Sequence, residues 1–215
     1  MATTNVPDHV IFGPGGGDLN YGDVRALPLQ LRIEALRRRH EAWLVDQSKH
    51  LAASAASPFA LAVMTCVGIE ALGLIAFGEG ADLRDPFVAV LDEMDARFRK
   101  PLSANFKAAF DARWAGTLDK KAKAASNGTA AEFLYVSFRC SMIHGYRGRA
   151  VFLTGDETSS VSLDETEGTM ALNPWWMWKR YEDVVKSSFD EIVNASLTPN
   201  PKRAHAVQRL ALMLQ

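Results

Sequence analysis

From Pro28 to about Ala53 the apolar positions return at helical spacing. Leu29, Ile33, Leu36, His40, Trp43 and Leu51 recur near one face, and Arg37–Arg39 falls between them as a solvated basic stretch. Ser54–Ser57 and Pro58 punctuate this helix. Phe59–Phe77 follows as a second helix, apolar nearly all round, which Gly78 and Gly80 end. Asp85-Pro86 opens a third helix running to about Arg99, with Phe87, Val90, Leu91, Met94 and Phe98 on one side. Pro101 breaks the chain, residues 102–115 read as a fourth, shorter helix, and Lys120–Gly128 as a basic, polar linker. Ala130–His144 reads as a fifth helix, and Gly145 stops it.

The texture then changes. Arg149–Thr154, Ser159–Leu163 and Thr169–Leu172 are short β-branched or alternating runs separated by Gly, Asp and Glu, which predicts a small hairpin or three-stranded flap. Asn173-Pro174 caps and starts a long helix to about Ser196 that carries Trp175, Trp176, Trp178 and Tyr181. Those tryptophans read as core and interface anchors. Pro199 and Pro201 precede a last helix. The chain divides into a flexible N-terminal arm at 1–25, a helical domain at 26–198 with its β segment at about 149–172, and a C-terminal helix at 199–215. The predicted class is all-α, a helical bundle with a small β-hairpin or flap insertion.

Composition narrows the function. The chain has 215 residues, 48% of them hydrophobic and 23% charged, which excludes disordered and fibrous classes. Lys plus Arg is 24 against 25 for Asp plus Glu, so bulk charge does not draw the chain to nucleic acid and any such role needs a local patch. Two cysteines, Cys66 and Cys140, can build neither a disulfide scaffold nor a four-cysteine zinc site, and the five histidines show no ligand spacing. Neither metal nor cofactor is expected. Gly15–Gly17 lacks the Lys-Ser/Thr of a phosphate loop. The first 25 residues lack the pattern of a secretory signal, and Glu70 inside the apolar 59–77 run argues for a buried core helix over a membrane span. The expected compartment is the cytoplasm, with reduced thiols and no membrane partner.

Charge inside the apolar helices is the informative feature. Glu70 is the sole charge of the second helix, and Arg139 and His144 sit in the strongly apolar fifth helix, so each needs a partner. A Glu70–Arg139 pair between the two helices is the simplest solution. Five residues at about 100° each leave Arg139 and His144 about 140° apart on a regular helix. Either a helix end at Gly145 or a two-fold dimer would bring them to one target. On the residues alone three readings stand open. One is a purely structural ion pair, one a phosphate-cleaving Arg/His site, and one a thiol–imidazole dyad from Cys140 and His144 at i, i+4.

The run Arg139-Cys140-Ser141-Met142-Ile143-His144-Gly145-Tyr146 resembles the Arg-x4–6-His motif of HEPN domains. The resemblance is closest over these residues and extends more loosely across 59–195. It implies an α-helical, commonly dimeric bundle. It also implies a metal-independent endoribonuclease or RNA-binding effector of bacterial defence or of a toxin–antitoxin system. The His144-Gly145-Tyr146 ending resembles HEPN toxins paired with nucleotidyltransferase antitoxins, in which the Tyr can be adenylylated. Cys140 departs from the polar residue often found after the Arg, and the β segment is extra to minimal toxins. The implied roles make Arg139 and His144 catalytic, with Glu70, Tyr146 and Cys140 in support and Arg147 and Arg149 on the RNA backbone. Histidine suits proton transfer near neutral pH, and a planar guanidinium suits phosphate. The expected partners are RNA, a second copy of the chain, and an antitoxin or other protein. The alternative is a non-catalytic HEPN-like module binding a partner protein or nucleotide.

Overall fold

The computed structural model describes residues 7–9, 11–13, 19–54, 57–80, 82–114, 125, 127–140, 150–155, 160–195 and 199–215. Two short strands, β1 (Ile11–Gly13) and β2 (Leu19–Asn20), pair antiparallel and lead into helix α1 (Tyr21–Ala26). Helix α2 (Leu29–His40) continues through a π-wound turn, Glu41–Val45, into α3 (Asp46–Ala53). Then come α4 (Pro58–Ala76), α5 (Arg84–Met94), α6 (Ala104–Trp114) and α7 (Ala130–Leu134), and α7 passes into a second π-wound turn, Tyr135–Cys140. Strands β3 (Val151–Leu153), β4 (Val161–Asp164) and β5 (Thr169–Leu172) precede the long α8 (Pro174–Asn194) and the last helix, α9 (Pro201–Met213). The protein is therefore mainly α with small sheets.

Local chemistry sets the helix ends. The Ser57 hydroxyl accepts from the Ala60 amide at 3.2 Å and Pro58 fills the first turn of α4. Asn173 accepts from the amides of Trp175 and Trp176 at 2.9 and 3.0 Å to start α8. Thr129 and Glu132 form a reciprocal capping box at α7. The third helix stops at Met94, five residues short of its predicted end. Asp95 turns extended, and its carboxylate accepts the amide and Nε of Arg97 at 2.8 and 2.9 Å, a local alternative to helical bonding. Phe98 still reaches the core and packs on Trp176.

Helix α4 is the centre of the bundle. It packs against α8, α5, α9 and α3, which is why it is apolar on nearly every side. Among the described residues it is the helix long and apolar enough to cross a membrane, and most of its length is covered by protein. Phe106, Phe110 and Phe133 join α6 to α7 by edge-to-face contacts at 5.2 Å.

Two expectations change. Residues 1–25 were expected to be a flexible arm. Their described part is instead tied in, because Phe12, Tyr21 and Val24 are buried and Arg39 lies over the Phe12 ring. Arg37–Arg39 is accordingly not a plain solvated face. Arg37 pairs with Glu41 and Asp190, and Arg39 is half-buried. The β segment is a three-stranded sheet of order β3-β5-β4, in which β4 and β5 form a hairpin and β3 lies parallel to β5 on the far edge. Its β4–β5 turn rests on α6. Gly168, at φ +60°, comes so close that a Cβ there would stand 2.2 Å from the Phe110 nitrogen. Arg97 donates to the Val161 carbonyl at 3.2 Å and so covers the β4 edge.

Candidate functional site

The apolar surroundings of α4 and the α7 extension bring two charges together. Arg139 Nε donates to Glu70 Oε2 at 2.9 Å, and Nη2 donates to the same oxygen. The side chains are 13% and 18% exposed, so the pair is largely desolvated. The Arg139 guanidinium also interacts with the Cys140 side chain. Burial opposes the Arg139 charge, but the hydrogen bond and charge of Glu70 hold its pKa above the ordinary value.

The rest of the site is built by the π-wound turn. Bonding from i to i+5 aligns side chains five apart, and the Tyr135 hydroxyl and the Cys140 thiol indeed interact. Tyr135 also places its ring 5.3 Å from the Arg139 guanidinium and edge-on to Phe87. Burial pushes the Tyr135 hydroxyl to about 12, and it does the same to the fully buried Cys66 thiol one turn below Glu70. Cys66 is thus an inert core residue, while Cys140 is half-buried beside Arg139. The predicted pairing of Glu70 with Arg139 is present. His144, Tyr146, Arg147 and Arg149 lie outside the described residues. Tyr135 was not singled out from the sequence; its signal was its position four residues before Arg139, the spacing that puts a ring under a cation.

A second buried polar pair lies behind α4. His40 Nε2 and the Tyr181 hydroxyl are 2.6 Å apart, both fully covered, against Gly68, where a Cβ would meet the Tyr181 oxygen at 2.4 Å. Burial drives the His40 pKa down to about 3 and that of Tyr181 well above its usual value. The imidazole is neutral and serves as a fixed core partner. The tryptophans of α8 are anchors: Trp176 packs on Phe98 and Arg97, and Trp175 Nε1 donates to the Ala52 carbonyl at 3.3 Å. No group of three or more His, Cys, Asp or Glu side chains among the described residues could hold a metal ion.

No protein-family model matches the chain, and no curated protein or solved structure matches it either.

Proposed function

We propose that this chain is a HEPN-like, metal-independent endoribonuclease or RNA-binding effector, acting as a two-fold dimer in bacterial defence or in a toxin–antitoxin pair. The observation that supports this reading most is the state of Arg139. Glu70 holds its Nε and Nη2 edge, and Tyr135 and Cys140 lie against the same guanidinium. A guanidinium whose orientation is fixed by its neighbours is preorganised for a phosphate.

In this reading the 2′-oxygen of the RNA attacks the adjacent phosphorus and the bond from phosphorus to the 5′-oxygen breaks. His144 moves the proton, from the 2′-hydroxyl or onto the leaving 5′-oxygen. Arg139 binds the phosphate and takes up charge developing on it. Glu70 and Tyr135 position Arg139. Arg147 and Arg149 supply further backbone contacts, and Tyr146 stacks on a base or bonds a phosphate. The compartment is the cytoplasm, and an antitoxin or another protein would hold the activity in check.

The closure of Arg139 on Glu70 also supports a second reading, since a completed ion pair serves a non-catalytic interaction module equally well. The deciding experiment is pure protein incubated with mixed RNA, with and without EDTA, beside His144→Ala. The nuclease predicts chelator-resistant cleavage lost in the variant; the module predicts binding without cleavage.

A further inference from the structure

The two π-wound turns are the irregular points of otherwise regular helices, and the second one carries Arg139. A π turn is a costly winding that concentrates at functional sites. The first, Glu41–Val45, carries an arrangement that the reading above leaves unused. The Arg39 guanidinium stands 3.9 Å from the centre of the Trp43 ring, and on another side 5.0 Å from that of Phe12. Arg39 Nη1 is buried with no hydrogen-bond partner. Leaving such a donor unpaired costs about 1–3 kcal/mol. The same guanidinium bonds the Tyr21 side chain, so the stack is held on its inner side while Nη1 stays unpaired. Its outer member is not sealed by protein, for Trp43 is 39% exposed, and Ile11 on the neighbouring β1 is 50% exposed. An indole backed by a cation and open to solvent is the element that single-stranded nucleic acids use for base stacking.

Its position is set by the packing of α2 and α3 on α4. Helix α3 returns into α4 through the short connection after Ser54, so the α2–α3 rod runs antiparallel to α4 and packs along it. The His40–Tyr181 contact against Gly68 fixes the height. Along the α4 axis Trp43 and Glu70 fall within about two helical turns, but Gly68 and Glu70 point about 200° apart around α4, so the His40–Tyr181 contact and the Glu70–Arg139 pair are on different faces of that helix. The surrounding charge is mixed. Arg37 is shared by Glu41 and Asp190, each at 2.8 Å, and the exposed Arg38, which has no ion pair among the described residues, stands against the exposed Asp46.

We propose that Trp43, backed by Arg39, is a stacking platform for a base of single-stranded RNA. The assignment rests on the RNA-directed reading only for the identity of the polymer.

The test uses the full chain and a fluorescent single-stranded 2′-O-methyl RNA oligomer, which cannot be cut through its 2′-oxygen, at fixed salt. Trp43→Leu, which keeps apolar packing and loses stacking, is expected to weaken binding about 5- to 150-fold, and Trp43→Phe to weaken it much less. An oligomer carrying 5-iodouracil is expected to photo-crosslink to Trp43, a readout on the parent protein that does not depend on the variants folding. Parent-like affinity of Trp43→Leu, with cross-links mapping elsewhere, overturns the platform even if the parent cuts natural RNA. Trp43-dependent binding without any cleavage of natural RNA leaves the platform standing and overturns the nuclease reading. No binding of the oligomer by the parent overturns the platform, and cleavage of natural RNA then decides the nuclease reading separately.

Discussion

Arg139 meets Glu70 through a single carboxylate oxygen, Oε2, which accepts from both Nε and Nη2. The contact joins the central helix α4 to the π-wound end of α7, two segments 69 residues apart in sequence. It is a structural joint and the organising element of the proposed site at once, so its removal has two separable consequences.

The first is stability. Glu70→Ala leaves a largely buried guanidinium without its carboxylate and should lower the unfolding free energy by about 3 kcal/mol. Urea melts measure this. Adding Arg139→Ala should recover part of the loss, because the stranded charge disappears; a double variant as unstable as the sum of the singles would show that the two side chains do not act as a pair.

The second is chemistry. The upstream RNA product should end in a 2′,3′-cyclic phosphate or the phosphate derived from it, and cleavage should persist in EDTA because the nucleophile is the RNA's own hydroxyl. His144→Ala should reduce the rate by about 10²–10⁴-fold. Arg139→Lys should also be poor, since a point charge cannot reproduce the planar fork held by Glu70. Cys140→Ser should retain activity, which separates this mechanism from a thiol–imidazole one. Product ends with a free 3′-hydroxyl, read by mass spectrometry, would falsify it.

Acid sensitivity should trace to His40. Its folded pKa of about 3 lies below the unfolded value of about 6.5. The unfolded chain therefore binds the proton first. Stability is full above about pH 6.5 and falls by about 1.4 kcal/mol per pH unit on the way down toward 3. Asp95, held at about 2 by Arg97, adds its own loss only below the ordinary carboxylate range. Between pH 4 and 6.5 the slope should flatten in His40→Gln when melts of the two proteins are compared.

Gly68→Ala sets two effects against each other. Alanine inside a helix gains up to about 1 kcal/mol in propensity. Here its Cβ would stand 2.4 Å from the Tyr181 oxygen and push that ring off His40. Overpacking costs about 1–3 kcal/mol, and the buried hydrogen bond is lost as well, so the variant should melt lower. A rise in melting temperature would show that Tyr181 moves aside freely.

Light scattering at micromolar concentration tests assembly. The proposed dimer predicts twice the chain mass, and a monomer would remove the argument that two protomers share one cleft.

Much of this was legible in the residues. Apolar periodicity with the punctuation at Ser54–Ser57 and Pro58, at Asn173-Pro174, and at Pro199 and Pro201 located α4, α8 and α9 to within two residues, because capping and patterning are local physics. A lone carboxylate and a lone guanidinium in apolar helices identified each other, since neither could be buried alone. Other features were decided only by tertiary packing. The π turns at 41–45 and 135–140 leave no local signature; they depend on what each helix packs against. The N-terminal segment looked loose because its glycines dominate the local pattern, yet Phe12 and Tyr21 found burial against α2, a gain that exists only once the bundle has formed. His40 read as one more position on an apolar face; its bond to Tyr181, 141 residues on, depends on the crossing of two helices beside a glycine that leaves room for a ring.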